Sequence, residues 1–408
     1  MTRPVALCLA LHLVLTPSAP GQRVTVEWGA QAIPTLAWAN VVPGDRSLAE
    51  LRLVQPVAML HAGLWGGRLR LVTTVNFEKY TLLHGELAPG NWGEGFADRR
   101  HPHTVVHELM LVAPDLLGRL DGGVALFLAA GKGFVPFGTD DPMVRPPVRF
   151  PVNHHLAQVL ERAVAIVGVE VGPVALEAAR FNGDEPVSPG SWPAWDRFGD
   201  SWAVRLTATP FTGLEGQASY AGVASPENRP GSGLDDARTS ISARWDRGAV
   251  YALVEWARTS VSHGVFVYHS MLVEAAVRRG RHRRYLRVER TERPEETRRF
   301  ESLFRTVRPL FDNSILGITR WTTLTVGDGL ELARTGPVRV TAFVEASAVG
   351  IAKVGGGVFD PIPFYGRERG VTVSLGARLS GGMPMHRMGR YGRAGGMPSH
   401  TDHQDEER

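Results

Sequence analysis

Apolar and polar residues alternate strictly along this chain, and arginine recurs at the middle of the polar positions. In LRLVTTVNFE, Leu69, Leu71, Thr73, Val75 and Phe77 fall on one face, opposite Arg70, Thr74, Asn76 and Glu78. SWAVRLTA sets Trp202, Val204 and Leu206 against Arg205 and Thr207, and TSISARW sets Ile241, Ala243 and Trp245 against Ser240, Ser242 and Arg244. VRVTAFVE opposes Val338, Val340, Ala342 and Val344 to Arg339, Thr341 and Glu345; VTVSLGARL opposes Val371, Val373, Leu375, Ala377 and Leu379 to Thr372, Ser374 and Arg378. Side chains of a strand point alternately to its two faces, so these are strands with one apolar and one polar face.

The connections also alternate. Short ones lie near 65–67, 113–120, 172–173, 210–213, 246–248, 278–281 and 326–329. Long ones cover about 30–50, 80–103, 132–160, 183–200, 224–237, 292–314 and 348–368, with a shorter one at 260–264. Hairpins tight at one end and irregular at the other are the mark of a transmembrane barrel. With an opening strand in RVTVEWG (24–29) the rhythm predicts an all-β, antiparallel barrel of about sixteen strands over 22–380; twelve and fourteen are the other even counts.

A soluble sandwich or propeller would turn its apolar faces inward. The mid-strand arginines oppose both that and a lipid-facing polar side. At the bilayer midplane each would cost about 2–4 kcal/mol, and five would cost roughly 10–20, as much as a typical protein's stability. The expectation is therefore a polar lumen carrying Arg70, Arg205, Arg244, Arg283, Arg287, Arg339 and Arg378, with valines toward lipid. Aromatics near strand ends (Phe77, Tyr80, Trp202, Tyr220, Trp245, Trp256, Tyr268, Trp321) suit interfacial girdles.

MTRPVALCLALHLVLTPSAPGQ has the basic start, apolar core and small residues of a secretory signal, placed at 1–21. The chain's one cysteine, Cys8, lies within it, so the expected mature protein has no disulfide. After Gly381 the pattern stops, and 381–408 reads as a flexible polar tail whose irregularly spaced His386, His400 and His403 make a poor metal site. The expected location is the bacterial outer membrane.

The third long loop, 132–160, is rich in glycine, proline and charge. Folded into the lumen, it would narrow the pore and set which ions pass, through Lys132, Asp140, Asp141, Arg145, Arg149 and His154. GKGFVPFG (131–138) resembles the G-K/Q-x-x-V-P-F-G segment of the phosphate-selective porin O and P-like family. The resemblance is specific over about ten residues; elsewhere only strand rhythm matches. It implies a sixteen-stranded, trimeric, anion-favouring pore. Lysines for a phosphate ladder are nearly absent, since only Lys79, Lys132 and Lys353 occur, and no terminal aromatic closes the chain.

Arginine makes up all but three of the 45 basic residues, and the formal net charge is +4. Arginine grips oxyanions bidentately, but Glu78, Glu255, Glu274 and Glu345 share the polar face, so only a mild anion preference follows. No compact basic module for nucleic acid is present. HTVVHELM (103–110) is not H-E-x-x-H, and Ser270 beside His269 or Ser262 beside His263 is adjacency, not a triad; no enzyme, cofactor or metal site is expected. The function predicted is passive diffusion of small hydrophilic solutes, probed against two alternatives. One is a closed barrel serving as a surface anchor or adhesin, working through loops 30–50, 80–103 and 292–314; the other is a membrane-embedded hydrolase.

Overall fold

Each strand satisfies half of its backbone hydrogen bonds with the strand before it and half with the strand after. Only closure leaves no edge, which a bilayer requires. The computed structural model describes residues 24–42, 46–81, 104–116, 123–186, 189–225, 231, 233–296 and 315–392. They form sixteen antiparallel strands in one closed sheet, each paired with its neighbours in sequence and the last with the first. The strands are β1 (Thr25–Val42), β2 (Arg46–Leu64), β3 (Leu69–Asn76), β4 (Val106–Ala113), β5 (Val124–Gly133), β6 (Arg162–Val171), β7 (Val174–Phe181) and β8 (Ser201–Phe211). They continue with β9 (Leu214–Val223), β10 (Asp236–Arg247), β11 (Val250–Val261), β12 (Phe266–Arg279), β13 (His282–Glu296), β14 (Ile315–Thr335), β15 (Val338–Lys353) and β16 (Arg369–Gly382). The seam runs from Gly29 opposite Gly382 to Ala39 opposite Thr372.

The alternation assigns the faces as read. Val204, Leu206, Ile241, Val344 and Leu375 are 37–53% exposed on the outside, whereas Arg205, Thr207, Ser240, Glu345 and Thr372 point inward and are nearly inaccessible. Two-residue turns join β6–β7, β8–β9, β10–β11, β12–β13 and β14–β15, and each carries a glycine at positive φ: Gly172, Gly213, Gly248, Gly280 and Gly336.

Four expectations are corrected. No long loop lies at 30–50: β1 and β2 run to 18 and 19 residues, with only 43–45 between them. The inward face of β1 is Gly29, Gln31, Ile33, Thr35, Ala37 and Ala39, too small to register as a contrast, and Pro34 reads as a breaker. Here it sits beside an irregularity between Gln31 and Ile33, where a missing N–H is tolerated. Secondly, Tyr268 and Trp321 belong to no outer girdle; they are 2% and 0% exposed and point inward.

Thirdly, the inner wall is not uniformly polar. Val72, Met110, Val112, Phe127, Ile166 and Phe181 on β3–β7 form an apolar inner flank. Finally, the chain does not become a loose tail at 381. β16 ends at Gly382, and Met383 donates its N–H to the Trp28 carbonyl (2.8 Å). Residues 383–392 then lie inside the barrel, with Met388, Arg390 and Tyr391 at 2% exposure or less. The proposed signal segment, most of loop 80–103, residues 297–314, His103, His400 and His403 lie outside the described residues.

Candidate functional site: the crossing of two segments in the lumen

The segment between β5 and β6 folds into the barrel. Its backbone breaks from the ladder through GKGFVPFG. Gly138 has φ +75°, and a Cβ there would lie 1.8 Å from the Ala157 carbonyl oxygen, so only glycine fits. At Gly133 a Cβ would come within 2.4 Å of the Tyr391 hydroxyl. Phe137, 3% exposed, anchors this inner loop on the apolar flank, and Phe134, 2% exposed, packs in a second cluster with Val57, Met143 and Met388.

From there the loop reaches across to the polar flank. Gly138 N–H donates to Ser219 Oγ on β9 (3.0 Å), and Thr139 Oγ1 donates to Glu255 on β11 (2.6 Å). Val148 and Arg149 N–H groups both donate to Glu345 on β15 (2.9 and 3.2 Å), and Asn153 N–H donates to Glu289 on β13 (2.7 Å). Glu255, Glu345 and Ser219 lie near the middle of their strands, so the loop spans the lumen at mid-height.

The charged residues expected to form a constriction are brought together in part. Asp140 and Arg145 pair at 3.0 Å, and Arg145 also meets Glu255 (3.3 Å) and Glu274 (3.8 Å). Burial opposes the Arg145 charge, yet Glu255, Glu274 and Asp140 outweigh it and raise its pKa. Arg149 bonds Thr372 (3.1 Å), and its carbonyl accepts from Arg287 (2.5 Å). Asp141 caps the short turn Pro142–Val144 through Met143 N–H (2.8 Å), with His154 Nε2 3.6 Å away. Lys132 stands apart: it is the penultimate residue of β5, bonds Thr104 Oγ1, and lies 5.6 Å from the Trp192 ring.

The lumen-facing arginines do not form one positive track. Arg205 pairs with Glu177 (2.6 Å) and Arg287 with Glu274 (2.6 Å), each guanidinium 2% exposed or less. Arg244 pairs with Asp246 (2.6 Å) and Arg339 with Glu331 (3.4 Å). Among the described residues Arg283 and Arg378 have no ion-pair partner, and Arg378 Nε and Nη2 donate to no hydrogen-bond acceptor. Both, with Arg70, Arg244 and Arg339, sit within a few residues of the short turns or of the end of β16. Arg283 and Arg378 thus lie toward one mouth.

The second crossing segment, the strap 383–392, was missed by the sequence reading. Arg387 pairs with Asp140 (2.9 Å) and, through two nitrogens, with Glu215 (2.6 and 2.9 Å). Arg390 donates to the Thr139 carbonyl (2.7 Å) and Thr207 Oγ1 (2.9 Å) and pairs with Glu215 (3.0 Å). His386 meets Glu108 at 2.7 Å and packs edge-on against His61. Tyr391 donates to Glu108 (2.7 Å) and accepts from Phe134 N–H (3.1 Å). Burial would raise the Asp140 pKa, but Arg387, Arg145, Arg244 and Arg390 together hold it well below the usual aspartate range. The same acids push Arg387 up against the opposing effect of burial. The only sequence signal for this strap was its pair of arginines and buried-type Met and Tyr in an otherwise glycine-rich run.

Of the residues weighed for other chemistry, His107 is fully buried on Glu161. Ser270 points inward onto Thr291 (2.9 Å), while His269 is exposed outside, so that pair is split across the wall.

A closed sixteen-stranded barrel with an apolar exterior and a loop folded into a charged lumen is a bacterial outer-membrane β-barrel of the porin fold. A known structure agrees on that fold. An anion-selective porin from Comamonas acidovorans superposes with a TM-score of 0.51 at 10% identity, covering 88% of this chain and 100% of that one. OmpT of Vibrio cholerae lacking loop L8 gives 0.48 at 12% identity over 88% of this chain and 99% of that one. The outer-membrane channel DcaP of Acinetobacter baumannii gives 0.47 at 8% over 90% and 99%. No protein-family model and no curated protein sequence matches the chain.

Proposed function

We propose that this chain is an outer-membrane porin that lets small hydrophilic solutes diffuse passively, with a mild preference for anions. The observation that carries the reading is the inner loop. It is pinned at mid-height by wall carboxylates, which is where a narrowing chooses among solutes. The anion preference is supported by the unpaired Arg283 and Arg378 and by the net charge of +4. The name of the Comamonas acidovorans porin agrees with that sign.

The GKGFVPFG resemblance favours oxyanions and a homotrimer, but the inner loop carries arginines and no lysine that would single out phosphate. Proteoliposome swelling tests the reading: vesicles with the protein should swell in small sugars and stop at a defined solute size, whereas swelling no faster than in empty vesicles would refute it. Sedimentation in detergent tests the trimer. A second reading, a closed barrel that anchors surface loops, is favoured by one observation, the strap lying against the inner loop; it predicts no swelling.

A further inference from the structure

We propose that the strap 383–392 sets the selectivity and limits the conductance of the lumen, with Arg387 and Arg390 as the specificity-determining residues; this rests on the channel reading. A barrel's last strand has no structural need of a following segment, because β16 already closes on β1 along its length. Yet ten further residues return into the lumen and form ion pairs there with Glu108, Asp140 and Glu215. Their sequence, MPMHRMGRYG, brings two arginines and no acid.

Those arginines cover carboxylates belonging to other elements. Arg387 joins Asp140 of the inner loop to Glu215 of β9, so one guanidinium ties the two crossing segments to the wall. Arg390 binds Glu215 and the inner loop's Thr139 carbonyl, while Arg205 holds the strap in turn through the Gly389 carbonyl (2.7 Å). Take the strap away and Asp140 and Glu215 would face the lumen with two fewer cations beside them. A permeating ion would then meet a wider, more negative passage. None of residues 383–392 belongs to a strand, so the strap can leave without breaking any of the strand pairing.

The test uses the full-length protein refolded into planar bilayers, as wild type, as Arg387→Glu with Arg390→Glu, and as Arg387→Gln with Arg390→Gln. Folding is checked by far-UV circular dichroism and heat-modifiable gel migration. The Glu pair places four acids together and should expel the strap. Single-channel conductance should rise about twofold or more and the reversal potential in a KCl gradient should move toward cations. The Gln pair should move the potential the same way by less. If the Glu pair fails to fold, the Gln pair decides. A wild type that is silent beside conducting variants would also support the strap, as a plug. Variants that fold and reproduce wild-type conductance and potential overturn the proposal. Silence of all three folded proteins overturns the channel reading itself.

Discussion

Glu345 shows what a single buried carboxylate does in this lumen. It accepts both the Val148 and Arg149 N–H groups, at 2.9 and 3.2 Å, from a loop with no ladder of its own. Replacing it with alanine leaves two buried donors without that partner, at about 1–3 kcal/mol each. Glu345→Ala is expected to lower the denaturation midpoint in detergent and to raise open-channel noise, as the loop loses its mid-height anchor; an unchanged midpoint would contradict this. Gly138 is constrained more severely. Gly138→Ala puts a methyl onto the Ala157 carbonyl at positive φ, so a cost of about 1–3 kcal/mol from backbone strain alone is expected. Reduced yield of folded protein on heat-modifiable gels would register it. Both residues could be singled out from sequence, Glu345 by its face and Gly138 by the GKGFVPFG segment, but neither partner could be. Pairing across a barrel joins residues about 200 apart in the chain, and no local pattern carries that distance.

At the scale of elements, the strands were legible because lipid and lumen impose opposite chemistry on alternate residues. The reading failed where that contrast is weak. β1 uses alanine and glycine on its inner face and contains Pro34, so a long strand read as a loop. The strap failed for another reason: outside regular structure there is no period to detect, and a charged segment that finds partners in the lumen looks like one that stays in solvent. The inner loop and strap now make joint predictions. Arg145 is shared by Asp140, Glu255 and Glu274, so Arg145→Glu gathers four acids in one buried place. Losing one member of a buried ion network costs about 3–5 kcal/mol, and the expected readout is a released loop, with higher conductance and a shift toward cations. The pH response follows from the Asp140 pKa, which its arginines hold low. A depressed carboxylate contributes stability above its unfolded value of about 3.9 and loses it only as pH falls through the lower folded value. Wild-type conductance should therefore stay level from pH 8 through about 4 and rise only well below that, as Asp140 takes up a proton and Arg387 loses one of its two carboxylate partners. A step near neutral pH would speak against the Asp140–Arg387 contact as the controlling one.

For the whole molecule, an apolar belt outside and carboxylate–guanidinium contacts inside divide the work of one sheet. The belt holds the barrel in lipid; the inner contacts fix two segments across the lumen. Most of the lumenal arginines are spent on those contacts, as Arg205 on Glu177 and Arg287 on Glu274. What remains to act on a passing ion is the small unpaired surplus at Arg283 and Arg378, which is why a mild preference is expected and a strong one is not. The direct test is the reversal potential of the refolded wild-type protein in a planar bilayer under a KCl gradient. Stable channels with a small anion-directed potential are predicted. A cation-directed potential would contradict the arginine surplus, and membranes that stay silent through repeated insertions, with the wild type and the strap variants alike, would contradict the pore.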